Sequence, residues 1–222
     1  MITAIIVAAG AGSRLGEPEG MPKALRTLGD RPMYLHALQT FDAHARVDAR
    51  VLVYPAIWEA QILEDLEGKV RGPLELVAGG ATRQESVAAG LSAASDAEFV
   101  VVHDAARPFV TATLIDRVLD ACLSAGAAIC AIPVTDTLKR VSSGFVSGTL
   151  ERAELVHVQT PQAFSADLLR RAHAGAARAG LDATDDAALV EALGEKVAVV
   201  DGDEGNIKIT TKADLERAQA IV

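Results

Sequence analysis

The sequence predicts an α/β fold in which a mostly parallel sheet carries helices on both faces. Short runs rich in β-branched residues alternate along the chain with Ala- and Leu-rich stretches of helical length. The runs are almost continuously apolar, as strands are when helices cover both faces of a parallel sheet. One segment, residues 137–158, breaks this alternation. We therefore expect one Rossmann-like domain over residues 1–222, with a protruding β-arm at about 137–158.

Six runs have the length and composition of buried strands. The first reads Thr-Ala-Ile-Ile-Val-Ala and leads directly into a glycine-rich stretch, and an apolar run followed by a breaker is typical of a strand end. The later runs are likewise short and rich in Val, Ile, Leu and Ala. The predicted strands are Thr3–Ala8, Arg50–Tyr54, Leu74–Val77, Glu98–His103, Ala127–Pro133 and Lys196–Val200.

The stretches between the runs carry apolar residues at helical spacing. Leu114, Val118 and Cys122, for example, recur every four residues and so fall on one face of a helix. Cys122 is therefore expected to be a small buried apolar residue rather than a reactive one. The predicted helices are Met33–His44, Ile57–Leu66, Thr82–Ala94, Thr111–Ala125, Ala166–Ala179, Asp185–Leu193 and Lys212–Ile221.

The segment 137–158 alternates in places between apolar and polar side chains and contains two Ser-Gly pairs. We predict a β-hairpin that turns at Ser143-Gly144 and again at Ser147-Gly148. The segment is too long for an ordinary connection between two elements, and such excursions are usually functional or used in dimerisation.

The charge balance excludes several classes of partner. Lys and Arg number 21 against 30 Asp and Glu, which gives a formal net charge of −9. Nucleic acids and anionic membranes are therefore not expected partners, because affinity for them comes mostly from a basic surface. Small anions are still possible ligands, since a few basic side chains in one cleft outweigh a negative average at short range.

The apolar and cysteine content points to a cytoplasmic protein. No apolar run approaches the roughly 18 residues that a membrane-spanning helix needs. The first residues are apolar but lack the basic start of a signal peptide, so we interpret them as a strand. Two cysteines are too few for a disulfide framework, and Cys122 and Cys130 do not form a C-x-x-C pair.

Ligands of open α/β sheets bind beyond the carboxyl ends of the strands, and the loop after the first strand is the most informative. Ala8–Gly16 is rich in glycine, which lets backbone amides approach a phosphate. Arg14 and Lys23 add positive charge for a triphosphate. The loop is not a Walker A motif, and Gly16 follows Gly12 one position too late for a dinucleotide fingerprint.

Two further strand ends carry polar residues. Gly79-Gly80 precedes Thr82-x-x-Glu85, a capping box whose helix N-terminus offers free amides and a dipole to a nucleotide. The next strand ends in His103-Asp104, three residues before Arg107. Asp104 could hold a metal ion bound to phosphates while Arg107 takes a second anion, or the two could form a simple local pair. His103 is expected to be a packed or hydrogen-bonded histidine.

Six motifs occur in order over nearly the whole chain and resemble those of the 2-C-methyl-D-erythritol 4-phosphate cytidylyltransferases, enzymes of the non-mevalonate isoprenoid pathway. The last of them places Lys208 in a short β-like segment. The motifs are Gly79-Gly80-x-x-Arg83-x-x-Ser86-Val87, His103-Asp104-Ala105-Ala106-Arg107-Pro108, Asp136-Thr137-Leu138-Lys139, Thr160-Pro161-Gln162, Thr184-Asp185-Asp186 and Asn206-Ile207-Lys208-Ile209-Thr210.

The resemblance implies transfer of CMP from CTP to 2-C-methyl-D-erythritol 4-phosphate with release of pyrophosphate, assisted by Mg²⁺ near Asp104. It implies a homodimer in which the arm enters the partner's site, so that Thr137 and Arg152 act across the interface. The implied catalytic residues are Arg14, Lys23, Arg152 and Lys208. The implied CTP-binding residues are Ala8, Ala9, Gly10, Gly12, Gly80, Ala81 and Ser86. The implied residues for the acceptor are Asp104, Arg107, Thr137, Arg152, Thr160 and Thr184.

The implied chemistry suits the residues present. A phosphate monoester is already ionised at neutral pH, so the nucleophile needs no general base. Catalysis then consists of aligning two anions and neutralising the charge that develops between them. Three alternatives remain at this point: a ribitol 5-phosphate acceptor, a non-catalytic nucleotide-binding protein and, less favoured because of the glycine spacing, a dehydrogenase.

Overall fold

A computed structural model describes residues 1–10 and 21–222 of the chain. In addition to the strands and helices, the described residues form three short 3₁₀ turns, at Lys23–Leu25, Ala56–Trp58 and Arg152–Glu154. The strands are β1 (Ile2–Val7), β2 (Thr27–Leu28), β3 (Arg31–Pro32), β4 (Ala49–Tyr54), β5 (Leu74–Ala78), β6 (Phe99–Asp104), β7 (Ala127–Pro133), β8 (Lys139–Ser142), β9 (Phe145–Thr149), β10 (Val156–Ser165) and β11 (Ala198–Asp201). The helices are α1 (Met33–Asp42), α2 (Glu59–Leu66), α3 (Arg83–Ala93), α4 (Ala112–Ala125), α5 (Ala166–Ala179), α6 (Asp186–Glu191) and α7 (Lys212–Gln219).

Seven strands form the central sheet in the order β11-β7-β10-β6-β1-β4-β5. β1 lies parallel to β4 and β6, β4 is parallel to β5, and β11 is parallel to β7. Only β10 runs antiparallel to its neighbours, β6 and β7. The predicted class, a mostly parallel sheet with helices around it, is confirmed. All six predicted strands and all seven predicted helices are present, with ends that differ by a few residues.

Successive residues of the strands pack into two separate cores, one on each face of the sheet. Ile6 and Val101 face α1 and α4, where Cys122 is fully buried as predicted. Their neighbours Ile5 and Val100 face the opposite layer, which α3, α5 and α6 form. This alternation follows from the two-residue repeat of a strand and explains why the strands are apolar throughout. Among the described residues, no helix is both long enough and apolar enough to cross a bilayer.

β10 is a central strand that the sequence did not reveal. Its start, Val156–Val158, was predicted to end the arm, but it pairs with β7. Its register shifts between Val158 and Gln162, and Pro161 lies within this irregularity. A proline donates no backbone hydrogen bond, so it is tolerated there and not in a regular central strand.

The arm itself is a two-stranded hairpin of β8 and β9. Its turn falls at Ser143-Gly144 as predicted, with both residues at positive φ. The second predicted turn is wrong, because Ser147-Gly148 lies within β9, where Gly148 pairs with Arg140 and a register shift leaves Ser147 unpaired. Val141, Phe145 and Val146 are 61%, 79% and 64% exposed, so the hairpin buries little apolar surface within its own chain.

Candidate active site

A cavity of about 280 Å³ opens at the carboxyl-terminal edge of the sheet. Val7 at the end of β1 pairs with Val53 in β4 and with Asp104 at the end of β6, so the residues that follow these strands meet at one edge. This is the edge at which open α/β sheets bind ligands. The described residues that line the cavity are Val7, Ala8, Ala9, Gly10, Lys23, Ala24, Gly80, Ala81, Thr82, Arg83, Ser86, Asp104, Ala106, Lys208 and Thr210.

Most of the predicted nucleotide-binding residues lie in this lining. Gly12 of that set, and the predicted catalytic residue Arg14, fall outside the described residues. The others all line the cavity on its β1 and α3 sides, and they are Ala8, Ala9, Gly10, Gly80, Ala81 and Ser86.

The start of α3 forms one wall of the cavity. Thr82 caps the helix, and its capping box with Glu85 is formed as predicted. The Ser86 hydroxyl accepts a hydrogen bond from the Gly80 amide at 3.2 Å and donates one to the Thr82 carbonyl at 2.9 Å. A Cβ at Gly80 would lie 2.4 Å from the Cβ of Glu85, so only glycine allows this close approach.

The floor of the cavity holds one carboxylate between two cations. Asp104 Oδ1 lies 3.1 Å from Nε of Arg83, and its Oδ2 lies 2.5 Å from Nζ of Lys208. Burial alone would raise the pKa of Asp104, but the two positive charges outweigh burial and hold that pKa well below its usual range. Asp104 is therefore ionised at neutral pH.

Arg83 was not predicted as a site residue, although it belongs to one of the six motifs. Besides Asp104 it contacts Asp186, whose Oδ2 accepts from Nη1 at 2.8 Å. Burial would lower the pKa of Arg83, but the two carboxylates outweigh it and raise the pKa, so the guanidinium stays charged. The sequence does contain one signal for Arg83. It lies in the first turn of a helix, where the helix dipole disfavours a cation, so an arginine is unusual at this position.

Lys208 reaches the cavity from an irregular segment. The predicted β-like segment is wrong, because residues 206–210 are not in a strand. The segment is instead fixed by single contacts: the Ile209 amide donates to the Ala106 carbonyl at 2.8 Å, and the Asn206 side chain donates to the Thr160 carbonyl at 2.8 Å. These contacts hold the C-terminal segment against the end of β6.

Thr160 and His103 form a buried layer beneath the carboxylate. The Asp104 amide donates to the Thr160 hydroxyl at 3.1 Å, and that hydroxyl lies 3.2 Å from Nδ1 of His103. His103 Nε2 lies 3.0 Å from the Arg107 carbonyl, so Nε2 carries the proton. The ring also packs on Phe41 at 5.2 Å, which confirms that His103 is packed and hydrogen-bonded. Burial lowers the pKa of His103 to about 4.

Arg107 is 8% exposed and does not line the cavity. Its Nη1 donates to the Asn206 carbonyl at 2.7 Å and its Nη2 to the Val158 carbonyl at 3.3 Å. The simple local pair with Asp104 does not form, because Asp104 is taken by Arg83 and Lys208. Arg107 therefore joins β10 and the C-terminal segment to the loop after β6.

The three remaining predicted residues lie outside the cavity of their own chain. Thr137 is exposed at the start of the arm. Arg152 is exposed in the 3₁₀ turn after β9 and donates through Nη1 to the Thr135 carbonyl. Thr184 is exposed in the loop before α6. Within one chain, the structure does not bring these three side chains to Asp104.

The donor set of the cavity fits a metal ion that is held partly by the phosphates of a nucleotide. Within residues 1–10 and 21–222, no group of three or more His, Cys, Asp and Glu side chains could hold a metal ion. Asp104 is the one carboxylate among the cavity-lining residues that the structure describes. Mg²⁺ is commonly held by one or two carboxylates together with substrate phosphates and water, and a single carboxylate satisfies that requirement.

An α/β sheet with a glycine-lined, lysine-bearing cavity at its carboxyl edge is typical of a nucleotide-binding protein, and the family match places this one in the nucleotidyltransferase class. Within that class, the chain belongs to the 2-C-methyl-D-erythritol 4-phosphate cytidylyltransferase family, whose family model matches residues 2–222. It is therefore a cytidylyltransferase enzyme.

Individual relatives cover almost the entire chain. A 2-C-methyl-D-erythritol 4-phosphate cytidylyltransferase of Bacillus pumilus (strain SAFR-032) is 46% identical over 224 residues, which cover 98% of this chain and 95% of the relative. One of Bacillus cereus (strain ATCC 10987 / NRS 248) is 42% identical and covers 100% of this chain and 98% of its own. The crystal structure of 4-diphosphocytidyl-2C-methyl-D-erythritol synthase from Anaerococcus prevotii DSM 20548 matches with a TM-score of 0.87 at 33% identity, covering 99% of this chain and 97% of that one.

The buried neutral His103 makes the stability of the protein depend on pH. Its pKa rises from about 4 in the folded chain to about 6.5 on unfolding, so the unfolded chain takes up a proton first as the pH falls. The free energy of unfolding should therefore fall by about 2 kcal/mol from pH 8 to pH 5 through this group alone. Urea unfolding of the wild type and of His103→Gln at both pH values measures this difference. Glutamine can still donate a hydrogen bond through its side-chain amide, but it has no ionisable group. Equal pH slopes in the two proteins would contradict it.

Proposed function

We propose that the protein transfers the CMP group of CTP to 2-C-methyl-D-erythritol 4-phosphate, forming CDP-methylerythritol and releasing pyrophosphate for isoprenoid precursor biosynthesis. One observation carries this conclusion: Lys23, Arg83 and Lys208 converge on a glycine-lined cavity of a chain whose net charge is −9. Such a local reversal of charge suits two anionic substrates. The family and the names of its members supply the identity of those substrates.

The reaction requires alignment and charge neutralisation more than proton transfer. An oxygen of the acceptor phosphate attacks the α-phosphorus of CTP in line, a new phosphoanhydride bond forms, and the bond to pyrophosphate breaks. Lys23 and Lys208 neutralise the negative charge that grows on the transferred and departing phosphates, and Arg14 joins them. His103 takes no part as a base, because it is buried and hydrogen-bonded on both ring nitrogens.

The nucleotide would bind between the loop after β1 and the start of α3. The backbone of the loop after β1 would contact the nucleotide from one side, at Ala8, Ala9 and Gly10. The start of α3 would contact it from the other side, at Gly80, Ala81 and Ser86. Gly12 is proposed to bind the nucleotide as well. The support for this arrangement is that the six described residues of this set all line the cavity. Small side chains and glycine leave room for a base and a ribose close to the backbone.

Asp104 would hold Mg²⁺ once CTP is bound. The metal ion would neutralise phosphate charge. Asp104 is ionised and faces the cavity, and its Oδ2 is at present held by Lys208. If the ammonium of Lys208 turns to the triphosphate, Oδ2 of Asp104 would become available to the metal ion. One exchange of partners would then let the lysine bind phosphate and the carboxylate bind the metal ion.

The acceptor would bind beside Asp104. Thr184 is exposed and offers an accessible hydroxyl. Arg107 and Thr160 are buried. Their hydrogen bonds indicate that they support the acceptor site indirectly, by fixing the end of β6 and the segment that carries Lys208.

We propose a homodimer whose arms, at about 137–158 in a nucleotidyltransferase domain of residues 1–222, complete each other's sites. The hairpin exposes Phe145 and two valines, a surface that a second copy would cover. Thr137 and Arg152 lie at the two ends of the arm, away from the cavity of their own chain. Across a dimer they would reach the acceptor in the partner.

The protein is proposed to act in the cytoplasm. Cys122 and Cys130 are both buried free thiols, as is usual where the environment is reducing. Burial raises the pKa of each thiol to about 12, so neither is reactive.

The acceptor distinguishes this function from its nearest alternative. The purified protein with CTP and Mg²⁺ should release pyrophosphate when 2-C-methyl-D-erythritol 4-phosphate is added, and should use that acceptor faster than ribitol 5-phosphate when the two compete. Faster use of ribitol 5-phosphate would change the proposed substrate. Binding of CTP with no turnover of either acceptor would instead indicate a non-catalytic protein.

Mixed dimers test the exchange of arms. Lys208→Ala damages the body of the site and Arg152→Ala damages the arm, and each alone should lower kcat by about 10²- to 10³-fold. In a heterodimer of the two variants, one site combines the intact body with the intact arm, so mixing the proteins should restore activity. Lys212→Ala, an exposed lysine in α7, is the control and should leave kcat unchanged. If mixing restores nothing although mass measurements show heterodimers, the arm acts within its own chain.

A further inference from the structure

Asp186 is a buried carboxylate that no step of the reaction uses directly. It is the first residue of α6 and is 1% exposed. Its Oδ2 accepts from Arg83 Nη1 at 2.8 Å, and its Oδ1 lies 3.4 Å from Nε2 of His173. A charge buried this deeply is expensive unless it is paired, so its presence beside the cavity calls for an explanation.

Asp186 is fixed relative to the floor of the cavity. The first turn of α6 is tied to β10 by Gln162, whose side chain donates to Asp185 at 2.8 Å and accepts from the Ala187 amide at 3.3 Å. Gln162 pairs with Val102 in β6, two residues before Asp104. The start of α6, which carries Asp186, is therefore tied through β10 to β6, which carries Asp104.

Arg83 spans the two carboxylates from a third element, α3. Its Nη1 contacts Asp186 and its Nε contacts Asp104 at 3.1 Å. Nη1 is engaged by Asp186 and Nε by Asp104, and the third nitrogen, Nη2, is buried without a hydrogen-bond partner among the described residues. Asp104 is then held by Arg83 through one oxygen only, and its second oxygen faces Lys208.

We propose that Asp186 is a positioning residue for cytidylyl transfer: it fixes the Arg83 guanidinium, and Arg83 in turn sets the orientation of the Asp104 carboxylate in the cavity. The proposal rests on the proposed function. It explains why the anion is buried, since an anchor for Arg83 must be both charged and immobile. It also explains an arginine at position 83, because its planar guanidinium donates to the two carboxylates from separate nitrogens, whereas a lysine ammonium is a single compact charge.

The chain contains a matched control for the effect of burial alone. Asp42 at the end of α1 pairs with Arg50 in β4, and their side chains are 9% and 3% exposed. Asp42 also accepts from the amides of Arg71 and Gly72, at 2.9 Å and 3.1 Å. This pair lies at the opposite end of the sheet from the cavity and does not line it.

Steady-state kinetics and thermal unfolding of Asp186→Asn and Asp42→Asn test the proposal. Both variants should unfold at lower temperature, because each removes the charge of a buried carboxylate from an ion pair: Arg50 loses that of Asp42, and Arg83 loses that of Asp186 while it keeps that of Asp104. Only Asp186→Asn should lower kcat, by about tenfold or more, with the KM for CTP changed by less than about threefold. A wild-type kcat in Asp186→Asn, or an equal loss of kcat in both variants, would overturn the proposal.

Two variants of Arg83 test whether Asp186 affects kcat by positioning Arg83 or only by stabilising the fold. Arg83→Lys keeps a positive charge beside the carboxylates, so it should fold, and it should show the same loss of kcat as Asp186→Asn. In the Arg83→Gln background, Asp186→Asn should cause less than about a twofold further loss, since its effect passes through Arg83. Losses that multiply, or full activity of Arg83→Lys, would refute the positioning role. If the wild type released no pyrophosphate, the proposed function and not the positioning role would have failed.

Discussion

The site depends on the ionised carboxylate of Asp104 and on the two cations that hold it. Arg83 comes from the first turn of α3, Asp104 from the end of β6 and Lys208 from the irregular segment near the C-terminus. The three side chains join parts of the chain that are far apart in the sequence. Removing the carboxylate would leave two partly buried cations facing each other, so one acidic side chain keeps this basic cavity stable.

The same arrangement explains how an acidic protein attracts anions. The net charge of −9 is spread over the surface, whereas the cavity collects lysine and arginine side chains. The carboxylates of Asp104 and Asp186 offset part of that positive charge while no substrate is bound. In the proposed reaction, phosphates would replace a carboxylate as the partner of Lys208, which would exchange similar interactions rather than desolvate a new charge.

The sequence predicted the parts of the fold that are built from local pattern. β1 and α4 are recognisable because their apolar residues recur at the spacing of their own element. β10 was missed because Gln159, Thr160 and Pro161 interrupt its pattern, and its position between β6 and β7 depends on contacts far away in the chain. Gln159 and Thr160 can be buried because other elements of the chain supply their hydrogen-bond partners.

The site residues were likewise predicted where the local sequence indicates them and missed where distant contacts place them. Residues that follow a strand, such as Ala9 and Asp104, were predicted because parallel strands end at a common edge. The bridge from Arg83 to Asp186 was not, since the two residues are 103 positions apart and nothing in the two motifs that contain them shows that they pair. The segment of Lys208 was misjudged because short apolar alternation is typical of a strand, whereas here single contacts to the loop after β6 determine its path.

A crystal structure of the protein with CTP tests the central claim most directly. We expect the nucleotide to fill the cavity between the loop after β1 and the start of α3. We also expect Nζ of Lys208 to leave Asp104 for a phosphate oxygen, while the contact between Arg83 and Asp104 remains. CTP bound elsewhere, or bound in the cavity with Lys208 still on Asp104 and Arg83 released, would contradict it.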